Sequence, residues 1–266
     1  MKRILYKIVL ASILVGLSYF LFGKEERSQK IYKNVRDVFK DNIKIIDPQN
    51  RKLPIYCVDR KQKVLGLTFD VAWGNEDMEE ILTILKEEQV PATFFVTGEW
   101  VEKYPEDVKK IAQLGHELGN HGANHKHMTK LSKEAQKEEI RTLHGQVKDV
   151  TGMDMEVFRA PYGDYDEEVV DTVQECGYAM IQWSVDSLDW KEYGKEAMIR
   201  QVMEHKNLAP GAILLLHTGT AYTKDALRPL LHQLKEQGYE FLIISKLIYH
   251  YNFFINSEGK QYTKKD

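Results

Sequence analysis

The sequence predicts an α/β fold in which parallel strands alternate with helices and curl into a closed or nearly closed barrel. Short apolar runs recur from Val64 to about residue 244, and amphipathic segments with helical spacing separate them. Such alternation is typical of βα units and a parallel sheet, and about seven units favour a barrel over an open sheet. The 266 residues, 43% of them hydrophobic, supply one sizeable core. No Rossmann fingerprint or P-loop is present.

Each element follows from local apolar spacing. The run from Val64 to Phe69 predicts a buried strand that ends at Asp70. A helix follows, because apolar residues recur at helical spacing from Met78 until Pro91 stops the pattern. Ser132 is placed to cap a long helix that runs to about residue 151. We expect further strands at 92–96, 117–120, 180–185, 212–216 and 241–244, and further helices at 105–114, 166–176, 195–205 and 224–237.

The N-terminus carries a targeting signal. Lys2, Arg3 and Lys7 precede an apolar stretch at 8–22, which charged residues end at once. This pattern predicts a signal anchor or a cleaved signal peptide, and the lack of a good small-x-small cleavage site favours the anchor. The positive-inside rule then places the rest of the chain outside the cytoplasm. We expect segment 1–23 to be this signal, 24–62 a polar stalk, 63–250 the catalytic domain and 251–266 a tail.

Composition excludes some classes of protein. The formal net charge of −3 and the lack of a basic stripe argue against a nucleic-acid partner. The two cysteines, Cys57 and Cys176, do not form a disulfide framework or a CxxC motif. A bridge between them stays open, but two small buried side chains are the better interpretation.

Polar residues that could take part in catalysis or metal binding follow several of the predicted strands. Each has an ordinary explanation by itself, since Asp70 could cap a helix and His217 could be a core histidine. In a βα barrel, however, the carboxyl ends of the strands form the active-site face. The set is Asp70, His121, His125, Arg159, Asp186, Asp189, Trp190 and His217. Its order along successive strand ends predicts one catalytic site.

These residues stand in motifs that resemble those of the NodB-homology polysaccharide deacetylases, carbohydrate esterase family 4. The chain carries Thr68-Phe69-Asp70, His121-Gly122-Ala123-Asn124-His125, Arg159-Ala160-Pro161-Tyr162-Gly163, Asp186-Ser187-Leu188-Asp189-Trp190 and Leu215-Leu216-His217 in the family order. The resemblance covers about residues 64–250. It implies a distorted (β/α) barrel of seven or eight units and the removal of acetyl groups from sugars.

The resemblance also implies roles for individual residues. His121 and His125 would bind a divalent metal, zinc or cobalt, that activates water. Asp70 would be the general base, held ionised by Arg159. His217 would be the general acid, kept protonated by Asp186. The backbone N–H of Tyr162 would stabilise the oxyanion, and Leu215 and Trp190 would line the acetyl pocket.

Two positions depart from the family pattern. Val71 stands where a second aspartate normally binds the metal, and Gly122 stands where a serine or threonine normally braces the metal loop. Three explanations stay open. The two histidines bind metal weakly with water and substrate, a side chain at 75–77 supplies the third ligand, or the protein has lost catalysis and kept sugar binding.

Three functions follow from this. The first is deacetylation of an N-acetylated glycan, with peptidoglycan as the leading substrate, because the first motif and the His-Gly-x-x-His pair are similar to a subgroup linked to sporulation and cell-wall work. The second is a non-catalytic glycan-binding protein on the same barrel. The third is an O-acetyl esterase. The aromatic residues Trp73, Tyr162 and Trp190 are candidates for stacking on sugar rings, whereas we expect Trp100 to lie in the core.

Overall fold

A curled sheet of parallel strands forms the centre of the protein. The computed structural model describes residues 52–264. The strands of the large sheet are β2 (Val64–Val71), β3 (Thr93–Val96), β4 (Glu117–Asn120), β5 (Val157–Phe158), β6 (Ala179–Met180), β7 (Val185–Asp186), β8 (Ile213–His217) and β9 (Glu240–Leu242). Their order is β6-β5-β4-β3-β2-β8-β7, with β9 paired to β2. The order ends at β6 on one side and β7 on the other, so the sheet forms an incomplete barrel rather than a closed one.

Helices follow the strands and cover the outer face of the sheet. They are α1 (Met78–Glu87), α2 (Gly98–Lys103), α3 (Pro105–Gln113), α4 (Lys133–Thr151), α5 (Glu167–Glu175), α6 (Lys195–Met203), α7 (Thr223–Glu236) and α8 (Ile244–Leu247). Ser132 caps α4 as predicted, because its hydroxyl accepts a hydrogen bond from Ala135 N. Three 3-10 turns lie at Met128–Lys130, Pro161–Gly163 and Asp189–Lys191. The expected helices and the strands at 92–96, 117–120 and 212–216 therefore form within one or two residues of their predicted bounds.

The core lies between the sheet and these helices. All eight residues of β2 are buried, and β2 pairs with β3, β8 and β9. A strand that has neighbours on both sides and is covered by helices has a nearly continuous apolar sequence, which is why β2 could be predicted from the sequence. Trp100 is 2% exposed in α2, and the prediction that it belongs to the core is confirmed.

The segment 180–185 does not form the single strand that its apolar run predicts. Ile55 N donates to Met180 O at 2.9 Å, and Gln182 N donates to Ile55 O at 2.8 Å. The backbone around Ile181 thus pairs with Ile55 on one side, while Ile181 N still donates to Phe158 O of β5 at 2.8 Å on the other. The chain then bends to join β8 at Val185.

Both ends of the described chain belong to the folded unit. A small sheet consists of β1 (Cys57–Val58), β11 (Lys260–Thr263) and β10 (Phe253–Ile255), in that order. Residues that we had placed in the stalk and in the tail therefore pair with each other, and Val58 is fully buried. The two cysteines are free thiols. Within residues 52–264 no helix has the length and apolar character to cross a membrane. The predicted signal at 1–23 lies outside the described residues.

Candidate active site

Strand pairing brings the predicted base and the predicted acid together. β2 and β8 are adjacent and parallel, and their register places Asp70 directly beside His217. Both residues stand at the carboxyl ends of their strands. Because side chains at paired positions of neighbouring strands lie on the same face, the carboxylate and the imidazole share one site.

Arg159 lies below these two residues and is fully buried. It follows β5, and its Nη1 donates to Asp70 Oδ1 at 2.6 Å and to Thr68 Oγ1 at 2.9 Å. Its guanidinium packs over the ring of Phe95 at 4.1 Å and donates through Nη2 to Gln182 O at 3.2 Å. These contacts leave the guanidinium one orientation, so the motif residue orients the base as the resemblance implied.

The surroundings of Asp70 favour its ionised form. Burial by itself would raise the pKa of this carboxyl. The positive charge of Arg159, together with His121 and His217, outweighs that effect and holds the pKa of Asp70 below its ordinary value. A carboxylate that stays ionised in a buried site is suited to accept a proton.

His217 has Asp189 as its partner, and the prediction that Asp186 fills this role is wrong. Asp189 Oδ1 lies 2.8 Å from His217 Nδ1, and Oδ2 accepts from His217 N at 2.6 Å. Asp186 Oδ1 instead accepts from Leu188 N at 2.9 Å, which closes a turn within the motif. Leu188 has a φ of 55° in this turn. The left-handed residue directs Asp189, rather than Asp186, towards β8.

The pKa of His217 moves in the opposite direction to that of Asp70. Burial lowers the pKa of the imidazole, but the hydrogen bond and negative charge of Asp189, with further charge from Asp70 and Asp186, raise the pKa above its ordinary value. The surroundings therefore favour the ionised form of the carboxyl and the protonated form of the neighbouring imidazole. Such divergence of two neighbouring groups is the usual sign of an assigned base and acid.

The two predicted metal ligands lie next to each other. The ring centroids of His121 and His125 are 5.0 Å apart. His121 Nδ1 lies 2.8 Å from Arg159 O, so Nδ1 carries the proton and Nε2 faces Asp70 Oδ2 at 3.5 Å. Burial lowers the pKa of His125 to about 4 and also lowers that of His121. Neutral imidazoles with a free nitrogen are the form that binds metals.

A glutamate from α4 braces the loop that carries these histidines. Glu139 Oε2 accepts from Asn124 N at 2.7 Å, and Oε1 accepts from Asn124 Nδ2 at 2.8 Å. Gly122 has a φ of 78°, which a serine or threonine would adopt only with strain. Glu139 was not among the predicted site residues. It supports the loop where the family normally has a hydroxyl, and its place within a helical pattern concealed this.

The residues present do not form a complete metal site. Val71 is fully buried and cannot bind a cation, and residues 52–264 contain no group of three or more histidines, cysteines or carboxylates that could hold a metal ion. Within the described residues, the segment 75–77 forms no such group with the histidines, and three of its polar atoms have other partners: Asn75 Nδ2 bonds Asp107, Glu76 Oε2 accepts from Asn75 N, and Asp77 Oδ2 accepts from Gly219 N. This arrangement gives no support to the explanation that the segment supplies the third ligand. Two histidines remain as partners for a divalent ion.

The remaining predicted residues surround this centre. Leu215 is buried on β8, and Trp190 is exposed in the turn that also holds Asp189. Tyr162 has a φ of 62°, which turns the chain sharply after Pro161 at the rim of the site. The structure therefore places an apolar wall and exposed rings next to the acid and the base.

A curled parallel sheet that carries a buried carboxylate and an imidazole side by side at its carboxyl edge has the arrangement of a hydrolase with α/β architecture. The chain belongs to the polysaccharide deacetylase family. The family model described as polysaccharide deacetylase matches residues 58–181.

Similar proteins agree with this assignment. The peptidoglycan-N-acetylmuramic acid deacetylase PdaA of Bacillus subtilis is 33% identical over 202 residues, which cover 73% of this chain and 74% of PdaA. Protein YlxY of the same organism is 31% identical over 226 residues, which cover 85% of this chain and 68% of YlxY. The solved structure of a family pseudoenzyme from Bacillus anthracis is 36% identical, has a TM-score of 0.70, and covers 74% of this chain and 69% of its own.

Proposed function

We propose that this protein hydrolyses the acetamide groups of an N-acetylated wall glycan, with peptidoglycan as the substrate. The observation that carries the proposal is the placement of Asp70 beside His217 at the carboxyl ends of adjacent strands, where their surroundings shift the two pKa values in opposite directions. A similarity to PdaA, a peptidoglycan deacetylase, supports the choice of polymer.

The proton transfers of this hydrolysis are carried by Asp70 and His217. Asp70 takes a proton from water as the water oxygen attacks the acetyl carbon, and a tetrahedral intermediate forms. Its oxyanion is stabilised by backbone N–H groups at Tyr162. The carbon–nitrogen bond then breaks as His217, aligned by Asp189, gives its proton to the leaving amine. Acetate and a free amino sugar leave, and the proton on Asp70 returns to His217 through solvent.

The number of protein ligands sets the expected affinity of this site for a divalent ion. His121 and His125 present two imidazole nitrogens, one fewer protein ligand than the three of an ordinary catalytic zinc site. We therefore expect zinc or cobalt to bind weakly. The family is generally metal-dependent, and weak binding would make activity depend on added metal.

The second candidate is a protein that has lost catalysis, and two observations favour it. Val71 removes the third ligand, and the similar structure from Bacillus anthracis is described as a pseudoenzyme. In this case the protein would bind wall glycan without turning it over.

One experiment separates these candidates. The full-length protein, purified in detergent, is incubated with peptidoglycan, chitooligosaccharides and acetylated xylan, each with zinc, cobalt, manganese or a chelator, and released acetate is measured. Metal-dependent acetate from peptidoglycan, absent in Asp70→Asn, is the expected result. Acetate from xylan alone would show an O-acetyl esterase. No acetate from any substrate, with glycan binding retained, would establish the pseudoenzyme.

We also propose that residues 1–23 anchor the protein to the outer face of the membrane. The basic residues Lys2, Arg3 and Lys7 before the apolar stretch support this. Protease added to intact cells should remove the folded part, whereas protection would refute the orientation. The resemblance to the sporulation and cell-wall subgroup leads us to propose a role in sporulation as well. Deletion of the gene tests this role, and unchanged muropeptides in the spore wall would refute it.

A further inference from the structure

We propose that Trp73 is a sugar-stacking residue that holds a glycan strand across the site, beside the sugar whose acetyl group meets Asp70. The inference rests on the proposed function, because it names how the same site recognises a polymer. Its consequence is that the protein binds a strand of several sugars rather than a single acetylated sugar, and that this binding needs no metal.

The distribution of exposed apolar side chains carries the inference. Within residues 52–264, seven large apolar side chains are exposed. Five of them stand on loops that follow strands of the main sheet, on the same face as Asp70 and His217: Trp73, Tyr162, Trp190, Tyr193 and Tyr222. All five are aromatic. Exposed apolar groups gathered on one functional face mark a binding surface, whereas scattered ones need no explanation.

Trp73 is the most prominent of these residues on the histidine side. It lies three residues after Asp70, its side chain is 60% exposed, and its ring meets that of His125 edge to face at 5.2 Å. A tryptophan ring has a large apolar face, and packing a sugar ring on this face would remove the face from water. The ring therefore presents an open surface directly beside His125.

The backbone around Trp73 is fixed on several sides. Trp100 Nε1 donates to Gly74 O at 2.6 Å, and Gly219 N donates to Asp77 Oδ2 at 2.8 Å. A Cβ at Gly219 would lie 3.1 Å from Trp73 O, so this close approach of two loops requires a glycine. A loop held in this way loses little freedom when a ligand binds, which favours affinity.

A second ring flanks the same histidine. Tyr162 is 58% exposed and lies 4.6 Å from His125, and one of its faces stacks on His127 at 4.1 Å. Trp73 and Tyr162 thus stand on either side of His125. Sugars placed along this line would lie next to Asp70, which is 3.5 Å from His121.

The opposite side of the site also has room for a sugar unit. A cavity of about 200 Å³ lies beside Asp189 and is lined by Leu188, Tyr193, Met198 and Tyr222. Apolar and aromatic lining with a few polar groups is typical of a small-molecule site. Rings on both sides of the acid and base indicate an occupant longer than one sugar. Stacking on rings uses no charge and no metal, so the Val71 departure leaves this recognition intact.

The test measures binding without turnover. Full-length protein carrying Asp70→Asn is titrated calorimetrically, in the presence of a chelator, with chitooligosaccharides from the disaccharide to the pentasaccharide. We expect affinity to rise with chain length. Trp73→Ala should weaken pentasaccharide binding by about tenfold or more and flatten the dependence on length. Trp73→Phe should restore most of the affinity, since it keeps an aromatic face.

The control is Tyr251→Ala, because Tyr251 is 51% exposed and lies before β10, away from the site. It should change the affinity by less than about twofold. Unchanged pentasaccharide binding in Trp73→Ala would overturn the inference while leaving the proposed chemistry untouched. Length-dependent binding in this assay, together with no acetate release by the wild-type protein, would contradict the proposed chemistry and keep the inference. A protein that binds no chitooligosaccharide under these conditions would overturn the inference.

Discussion

Replacing Asp189 by asparagine should move the titration of His217 to lower pH. Asp189 is almost fully buried and accepts four hydrogen bonds: from His217 N at 2.6 Å, from His217 Nδ1 at 2.8 Å, from Trp190 N at 2.8 Å and from Thr223 Oγ1 at 2.8 Å. The substitution keeps the shape of the side chain but removes its charge. The imidazolium then loses a charge-assisted hydrogen bond, worth about 1.5–3 kcal/mol.

This free energy converts directly into a pKa change. One pKa unit corresponds to about 1.4 kcal/mol, so the pKa of His217 should fall by roughly one to two units. The raised pKa in the wild type keeps the imidazole protonated up to a higher pH, and activity is lost as pH rises through that pKa. In Asp189→Asn this alkaline limit should shift downwards, and turnover at neutral pH should fall about 10- to 100-fold.

The assay is histidine NMR titration, which does not depend on turnover, followed by the pH profile of acetate release. Asp186→Asn is the matched control, because Asp186 lies in the same motif but its side chain accepts from Leu188 N. Its charge still favours the imidazolium from a distance, so a small shift is expected. A larger shift in Asp186→Asn than in Asp189→Asn would refute the assignment of the partner.

Three further substitutions test other parts of the structure. Val71→Asp should tighten zinc binding by about tenfold or more, measured by competition with a chelator. Val71 pairs with Val96, whose carbonyl accepts from His121 N at 3.0 Å, so the new carboxylate lies near the ligands. Glu139→Ala should lower the free energy of unfolding in urea by about 1–3 kcal/mol, because Asn124 N loses its buried acceptor. His116→Gln should reduce the loss of stability in acid. Burial lowers the pKa of His116 from its ordinary value of 6.5 to about 4 in the folded protein. The contribution of His116 to the free energy of unfolding is therefore complete above about pH 6.5. It declines by about 3 kcal/mol in total as the pH falls towards 4.

Each of these has a clear contrary result. Unchanged zinc affinity in Val71→Asp would mean that the side chain at this position points into the apolar core. For the loop brace, the control is Glu138→Ala, whose carboxylate accepts from Thr142 on the exposed face of α4. Equal losses in both glutamate variants would contradict the bracing role. Parallel stability curves of wild type and His116→Gln between pH 4 and 6.5 would contradict a neutral buried His116.

Much of the polar site was predictable because each of its residues stands beside a local signal in the sequence. Asp70, Arg159 and His217 each end or follow an apolar run, and parallel strands carry such positions to one edge. The choice between Asp186 and Asp189 was not predictable from spacing. Both stand in one short motif, and the left-handed φ of Leu188 decides which carboxylate reaches His217.

The exposure of aromatic residues was also decided by packing. Trp73 and Trp100 each follow a strand end, yet Trp73 is open to solvent and Trp100 is buried within α2. The sequence predicted the core position of Trp100, whereas the exposure of Trp73 depends on how its loop packs. The role of Glu139 was also decided by packing. A glutamate within a helical pattern indicates a solvated face, but in the structure its carboxylate accepts two hydrogen bonds from Asn124.

The sequence by itself determined the parallel strands, the helices and the family motifs. The spacing of apolar residues and the polar residues that follow each strand are both visible within short stretches of sequence. Tertiary structure alone decided the pairing of β1 with β11, since strands of two and four residues about 200 positions apart carry no clear periodic signal. It also decided the partner of His217 and the support of the histidine loop. Those contacts depend on which distant side chains meet, and sequence spacing holds no information about that.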